Sequence, residues 1–175
     1  IVNECESYAI VYEGSFDLCV ENGQSKSVHL VVPKEMNGFD KFVDMHTVKG
    51  EVINNPVAGE CVITHKLAEE YDIKKGDRIE LTDDEFRTIS ATVGGIMQNF
   101  VDAYVYLNAD TYKEQMNREP MYKSVYMNVK EQVDQHMLSA SLMKEKNVAA
   151  VSVNEDMRNR FDVMMNNMNY IILLV

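Results

Sequence analysis

The side chains that could support catalysis or metal binding are few, and they are scattered along the chain. Nucleophilic catalysis needs a serine or cysteine beside a histidine base and an orienting acid, yet no GxSxG sequence occurs. The usual histidine metal sites need an HExxH or HxH pair, and neither is present. The histidines stand in unrelated contexts, at His29, His46, His65 and His136. We therefore predict neither a hydrolase site nor a histidine metal site.

The cysteines also lack a motif for metal binding or redox chemistry. Cys5, Cys19 and Cys61 form an odd set without a CxxC pair, so neither a zinc site nor a disulfide framework is predicted. We interpret them as three partly buried thiols. A disulfide between Cys5 and Cys19 stays open, because it depends on whether their strands are neighbours and on an extracytoplasmic location.

Acidic residues cluster at two places without forming a recognisable site. Asp83-Asp84-Glu85 lacks the alternating oxygen ligands and the glycine of an EF-hand loop, and it is predicted to be a solvated hairpin turn. Glu69, Glu70 and Asp72 are interpreted as the water-facing side of a short helix. No carboxylate pair is arranged for acid–base work, and no GxxxxGK[ST] loop could hold phosphates. We therefore predict no catalytic, cofactor-binding or metal-binding residues.

Composition and charge limit the class of protein. The chain has 175 residues, of which 46% are hydrophobic and 26% charged, which is typical of one globular domain. The net charge is −11, and the 17 lysines and arginines are dispersed, so a nucleic-acid partner is excluded. Of the nine tyrosines, five follow the Gly94-Gly95 pair: Tyr104, Tyr106, Tyr112, Tyr122 and Tyr126. They would either form an aromatic recognition surface or, as we favour, pack in strands and in the core.

The elements that would position these residues begin with strands. Alternating apolar residues predict strands over 8–12, 15–20 and 27–32, with breaks at Glu13-Gly14 and a hairpin turn at Asn22-Gly23. A connecting region follows to Pro56, in which 39–45 could form a short helix. A strand over 60–63 then leads to a helix that Thr64 would cap.

The rest of the chain continues this mixture of strands and helices. Strands are predicted over 78–81, 86–93 and 103–107, with Gly94-Gly95 as an interruption and Asn108 as the cap of a helix through Met116. A strand over 124–129, a helix over 132–146 and a strand over 149–153 form a βαβ-like unit. A last helix from Asn154 becomes wholly apolar over 170–175.

The order of these pieces resembles a known family of membrane proteins. Residues 62–81 contain a strand, a helix with Leu67-Ala68, the Lys-x-Gly-Asp sequence Lys74-Lys75-Gly76-Asp77 and a second strand. The stretches at 93–96, 104–112, 148–153 and 161–175 follow in the same order. This arrangement resembles the ectodomains of FtsX-like and MacB-like ABC transporter permeases over about residues 60–175.

The resemblance implies an α+β fold of the MacB-like periplasmic core type, with a βαβ-containing lobe and a smaller β-rich lobe. We expect a single extracytoplasmic domain over 1–175, with the β-rich lobe within about 57–107, a βαβ-type lobe in the remainder, and the start of a transmembrane helix at 170–175. The chain would then be a segment of a longer membrane protein.

The resemblance also implies the partners. A separate cytoplasmic ABC ATPase would bind ATP, and a second permease copy could join the assembly. The ectodomain would couple ATP hydrolysis to export, extraction or signalling without catalysis of its own, and a peptide, lipid or antimicrobial compound is compatible as a ligand. The alternative hypothesis is a soluble ligand- or protein-binding adaptor domain whose apolar C-terminal run is core, and an enzyme with an unrecognised site ranks last.

Overall fold

The computed structural model describes residues 4–19, 25–99 and 102–153. It confirms the α+β class, since strands and helices mix along the chain. The elements, in chain order, are β1 (Cys5–Cys19), β2 (Ser25–Pro33), a 3₁₀ turn (Phe39–Lys41), β3 (Glu60–Thr64), α1 (His65–Glu70), β4 (Arg78–Thr82), β5 (Thr88–Met97), β6 (Tyr104–Leu107), α2 (Ala109–Met116), β7 (Ser124–Val129) and α3 (Gln135–Leu142).

The strands form one sheet that closes on itself. Antiparallel pairs join β1 to β2, β1 to β4, β4 to β5 and β3 to β6. Parallel pairs join β2 to β6 and β3 to β5. The path β1-β2-β6-β3-β5-β4 therefore returns to β1, and β7 extends the sheet beside β1. A ring of this kind needs its interior filled by side chains.

The main apolar core fills this interior, and the strand sequences alternate accordingly. Ile79 and Leu81 of β4 are buried while the residues beside them are more exposed. Ile89, Ala91 and Val93 of β5 repeat this pattern and belong to the same cluster. Period-two alternation of this kind places one face of each strand in the core.

Three of the strands are buried on both faces. Val31 of β2, Val62 of β3 and Tyr106 of β6 point away from the main core and form a second apolar cluster. The segment between β2 and β3 covers this side of the sheet, with Phe39 and Met45 buried in the cluster. The predicted connecting region is thus a cover for the sheet, and its helical part is shorter than expected.

The two predicted helix caps have different outcomes. The side chain of Asn108 accepts a hydrogen bond of 2.8 Å from the backbone N–H of Thr111, so the predicted cap of α2 is confirmed. Thr64 stands at the N-cap position of α1, but its side chain caps nothing there. Its hydroxyl instead donates to the Asp102 carbonyl and accepts from the Tyr104 N–H, which ties β3 to the start of β6.

The glycines predicted as strand breaks, Gly14 and the pair Gly94-Gly95, lie inside strands. β1 runs for 15 residues through Gly14, where an added Cβ would lie against the Tyr12 ring. β5 continues through Gly94 and Gly95 to Met97, but its pairing with β3 shifts register at Gly94, so the predicted interruption is a β-bulge within a continuous strand. These glycines make room for neighbouring side chains rather than turning the chain.

The described residues divide into two compact units. One unit is Ser7–Asn128, which contains the closed ring of strands, and the other contains the described residues of Ile1–Glu6 and Val129–Val175. In the second unit α3 spans Gln135–Leu142, shorter than the predicted 132–146, and Leu138 is its buried residue. The expected β-rich lobe near 57–107 and βαβ-type remainder stay predictions.

Part of the predicted C-terminal region can be compared with the structure. Residues 149–153 have no regular secondary structure, so the strand expected there is not formed. The predicted Asn22-Gly23 turn, the helix from Asn154 and the transmembrane start at 170–175 lie outside the described residues. Among the residues that are described, no helix is both long enough and apolar enough to cross a lipid bilayer.

Candidate functional site

The fold keeps the histidines apart from one another. His29 packs its ring on Tyr104, with ring centres 5.1 Å apart. His46 hydrogen bonds with Asp44 and Gln98, each at 3.0 Å, and the Asp44 contact is the main reason that the pKa of His46 is raised. His65 pairs with Glu69, one turn further along α1, at 3.1 Å. The backbone N–H of His136 donates a hydrogen bond to the side chain of Asp134, which is the N-cap residue of α3. Within the described part of the chain, no cluster of three or more His, Cys, Asp and Glu side chains could hold a metal ion.

The cysteines occupy three different environments. Cys5 and Cys19 are the two ends of β1, and a strand of 15 residues separates them by far more than a disulfide allows. The Cys5–Cys19 bridge left open by the sequence is therefore excluded. Cys19 is exposed, whereas Cys61 is buried in the main core. Burial, assisted by the nearby Glu60 carboxylate, raises the pKa of the Cys61 thiol to about 12.

Most of the tyrosines serve packing, as the sequence favoured. Tyr112 is buried in the main core with its ring 5.0 Å from that of Tyr12. Tyr106 is buried in the second cluster, and its ring lies 6.1 Å from that of Tyr104. The Tyr126 hydroxyl donates to a Glu13 carboxylate oxygen at 2.7 Å. Burial is the main cause that raises the pKa of Tyr126, and this hydrogen bond adds to it.

The acidic turn between β4 and β5 differs from the predicted solvated turn at one residue. The Asp83 side chain is only 4% exposed. Its Oδ1 accepts from the backbone N–H groups of Glu85 and Arg87, at 3.0 and 2.8 Å. Its Oδ2 accepts from Arg87 Nε at 2.9 Å and from Arg118 Nη2 at 3.4 Å. Asp83 is thus the centre of a buried polar network that fixes the turn.

A cleft of about 550 Å³ lies in the Ser7–Asn128 unit. One wall is the segment 47–57, and the other is formed by Glu60 and Val62 of β3 and by residues 94–96 of β5. Lys75 also lines the cleft. Clefts of this size that combine apolar walls with a few polar groups are typical binding sites.

Gly94 and Gly95 shape this cleft because they lack side chains. A Cβ on Gly94 would lie 2.7 Å from the Glu60 carboxylate, so the absence of a side chain allows that carboxylate to lie across β5. A Cβ on Gly95 would collide with the Ile53 side chain. The close approach of Ile53 fastens the segment 47–57 to the sheet.

The chemistry of the cleft suits binding. Of the described residues that line it, none is a histidine or cysteine. Thr47 supplies a hydroxyl, but this oxygen accepts hydrogen bonds from the backbone N–H groups of Lys49 and Glu51 at 3.3 and 3.2 Å. The charged residues that line the cleft are Glu51, Glu60 and Lys75. This arrangement resembles neither a nucleophile with its base nor a pair of catalytic carboxylates.

Comparison with known protein families tests the family resemblance that the order of strands and helices suggested. Residues 12–145 match the MacB-like periplasmic core domain. The chain belongs to this family. The match begins at residue 12, so it also covers most of the N-terminal segment before residue 60, which the sequence resemblance did not include. A comparison with curated proteins finds no significant match.

Two solved structures have the fold of this family member. The periplasmic region of MacB from Actinobacillus actinomycetemcomitans is 13% identical with a TM-score of 0.51, over 79% of this chain and 64% of that one. The extracellular domain of the ABC-type transporter YknZ from Gram-positive bacteria is 10% identical with a TM-score of 0.53, over 81% of this chain and 72% of that one. The chain therefore spans less than two thirds of the length of the MacB region that it matches.

Proposed function

We propose that this family member is the extracytoplasmic domain of an ABC transporter permease, and that it couples ATP hydrolysis in the cytoplasm to export, extraction or signalling at the outer face of the membrane. The match over residues 12–145 carries the proposal, because it covers most of the chain. The similar structures are a periplasmic region and an extracellular domain. The partners would be a cytoplasmic ABC ATPase and a second permease copy.

We also propose that the domain makes and breaks no covalent bonds. This is supported by the separation of the histidines on different elements and by the buried, poorly ionised thiol of Cys61. The domain would act by binding and by changing its conformation with the nucleotide state of the ATPase. A rigid closed sheet suits the transmission of force, since densely packed interiors deform little.

Labelling of Cys19 tests the location. The experiment uses intact cells that express the full-length protein with Cys19 as its one exposed cysteine. A membrane-impermeant maleimide should label Cys19 without permeabilisation, and a cysteine placed in the cytoplasmic ATPase serves as the unlabelled control. Recovery of the protein in the soluble fraction, or labelling only after permeabilisation, would favour the adaptor hypothesis.

A reporter on the same thiol tests the coupling. An environment-sensitive fluorophore on Cys19 of the full-length permease, reconstituted with its ATPase, should change its emission when ATP and vanadate are added. An ATPase variant that cannot bind ATP is the control and should give no change. An unchanged signal in the active complex would count against a mechanical role for this domain.

The cleft is where we expect a ligand of the transporter to bind. Glu51 and Glu60 outnumber Lys75, and the side chains of Val52 and Val57 are exposed at 85% and 60%. This combination favours a cationic amphipathic ligand such as a basic peptide. Replacing Glu60 by Gln should weaken binding of such a peptide in a titration, whereas Glu80→Gln, on an exposed position of β4 outside the cleft, should not. Equal effects of both variants would indicate nonspecific charge attraction.

A further inference from the structure

The turn between β4 and β5 places an aromatic side chain in an unfavourable backbone conformation. Asp84, Glu85 and Phe86 form a three-residue loop, closed by hydrogen bonds from the Asp83 N–H to the Arg87 carbonyl and from the Phe86 N–H to the Asp83 carbonyl. Phe86 has a φ of 61°, in the left-handed region. Loops of this length commonly have glycine or asparagine at this position, because a Cβ is disfavoured there.

The Phe86 side chain gains no packing in return. It is 89% exposed, the highest value among the large apolar side chains that the structure describes. A single exposed apolar residue needs no special explanation by itself. An exposed phenylalanine with a left-handed backbone does need an explanation, because glycine would adopt this conformation without strain. Strain of this kind is often retained where a residue serves function.

The turn is also held in one conformation. Both oxygens of Asp83 accept hydrogen bonds, from Glu85, Arg87 and Arg118. Arg118 follows α2, so this contact connects the turn to a distant part of the same unit. The phenyl ring is therefore presented from a rigid base, and little conformational entropy would be lost when it binds.

We propose that Phe86 is the anchor of a protein-docking surface, and that the partner is a protein with an apolar pocket edged by lysine or arginine side chains. Asp84 is exposed directly beside Phe86, and Glu85 is exposed but pairs with Arg87 at 2.6 Å. Arg87 and Arg118 also contact the buried Asp83, so two guanidiniums balance three carboxylates and the turn keeps a net negative charge. An acidic rim around an aromatic anchor is complementary to a basic rim around an apolar pocket.

The charge of the chain argues against other occupants. The net charge of −11 disfavours an anionic lipid surface and a second copy of the same chain. Rigid aromatic side chains at the centre of an interface commonly supply much of the binding energy. This inference is independent of the proposed transport function, since it rests on the geometry of the turn and on the charge of the chain.

The test begins with site-specific photocrosslinking in native cells. The full-length protein carries a benzophenone amino acid at position 86, and a matched variant carries it at Met137, which is 73% exposed on α3 and does not line the cleft. We expect a protein adduct specific to position 86, with the crosslink mapped to an apolar pocket that has basic neighbours. An adduct with lipid, an adduct with a second copy of this chain, or the same adducts as the Met137 variant would overturn the proposal.

The second step separates binding from stability. With the partner identified by the crosslink, the variant Phe86→Gly should bind at least about tenfold more weakly than the wild type. The same variant should keep the Tm or raise it by about 2–4 °C, because glycine relieves the left-handed strain. Phe86→Leu should bind with intermediate affinity. A Phe86→Gly protein with a clearly lower Tm would show that the ring supports the fold, and would contradict the proposal.

Discussion

At the residue scale, Asp83 shows how a carboxylate can be buried at low cost. Burial alone would raise the pKa of the Asp83 carboxyl, but hydrogen bonds from the Arg87 N–H and guanidinium outweigh it and the pKa is lowered. A lowered pKa means that the folded state favours the ionised form. The stabilisation is therefore present at neutral pH and is lost as the pH falls through the folded-state pKa.

We expect Asp83→Asn to lower the free energy of unfolding at pH 7 by about 2 kcal/mol, because the charged hydrogen bonds to Arg87 and Arg118 are weakened. The difference from the wild type should shrink below about pH 4, where the unfolded-state carboxyl becomes protonated. Urea unfolding at both pH values measures it. Asp84→Asn, at the exposed neighbouring position, is the control and should change stability by less than about 0.5 kcal/mol. A pH-independent effect at Asp83 would mean that shape, not charge, matters there.

The thiols of Cys19 and Cys61 should differ strongly in reactivity. The thiolate is the reactive form, and the raised pKa of about 12 leaves Cys61 protonated as well as buried. We expect a thiol-reactive dye at pH 8 to label the exposed Cys19 within minutes and Cys61 only in urea. Mass spectrometry of proteolytic fragments assigns the labelled sites. Labelling of both residues at similar rates under native conditions would show that the main core opens readily.

The role of Asp83 could not be read from the sequence. An Asp-Asp-Glu run between two strands is typical of an exposed turn, and two of its three residues are indeed exposed. The contact that distinguishes Asp83 comes from Arg118, 35 residues later. Similarly, alternation assigned Phe86 to a strand, whereas the structure places it in the turn with a left-handed backbone. A long-range partner decided the outcome at Asp83, whereas the local hydrogen bonds that close the turn between Asp83 and Arg87 decided the conformation of Phe86.

At the element scale, the two glycines of β5 give a matched pair for testing how the cleft wall is held. Gly95→Ala forces a Cβ into Ile53, a branched side chain packed in the second cluster. Gly94→Ala meets the end of the flexible Glu60 side chain, which can move into solvent. We expect Gly95→Ala to destabilise the fold by about 1–3 kcal/mol and Gly94→Ala to be close to neutral. Thermal unfolding of both variants measures the difference, and equal destabilisation would argue against Ile53 as the cause.

Elements with local causes were predicted well. β4 follows from alternating residues, and α2 follows from Asn108, whose side chain accepts a hydrogen bond from a residue only three positions away. The uninterrupted β1 and β5 were not predicted. Their glycines have backbone conformations open to other residues, and their reason lies in side chains that approach from elsewhere. A glycine inside an alternating pattern does not reveal by itself whether it breaks the strand or makes room for a neighbour.

At the scale of the whole molecule, the closed ring of strands depends on pairs that no local pattern specifies. β2 pairs in parallel with β6, and β3 pairs in parallel with β5, although these partners are separated in sequence by other elements. The α+β class and the family could be predicted because a series of short pieces occurs in a characteristic order. The register that closes the sheet required the structure.

Hydrogen exchange should distinguish the two compact units. The strands β2, β3 and β6 are covered on both faces by the two apolar clusters, so their amides exchange only when much of the Ser7–Asn128 unit opens. In α3, by contrast, Leu138 is the one buried residue that the structure shows, and little apolar burial opposes local opening. We expect the slowest exchange in β2, β3 and β6, and exchange in α3 that is faster by at least about two orders of magnitude.

Hydrogen–deuterium exchange read out by mass spectrometry on the full chain checks this expectation. Leu138→Ala serves as the matched perturbation, since it should accelerate exchange in α3 and leave β3 unchanged if the units open separately. Val62→Ala should instead accelerate exchange in β2, β3 and β6, because it removes a side chain from the second cluster. Acceleration of both units by either variant would show that they unfold together as one cooperative structure, and the protection of the closed ring would then include the second unit.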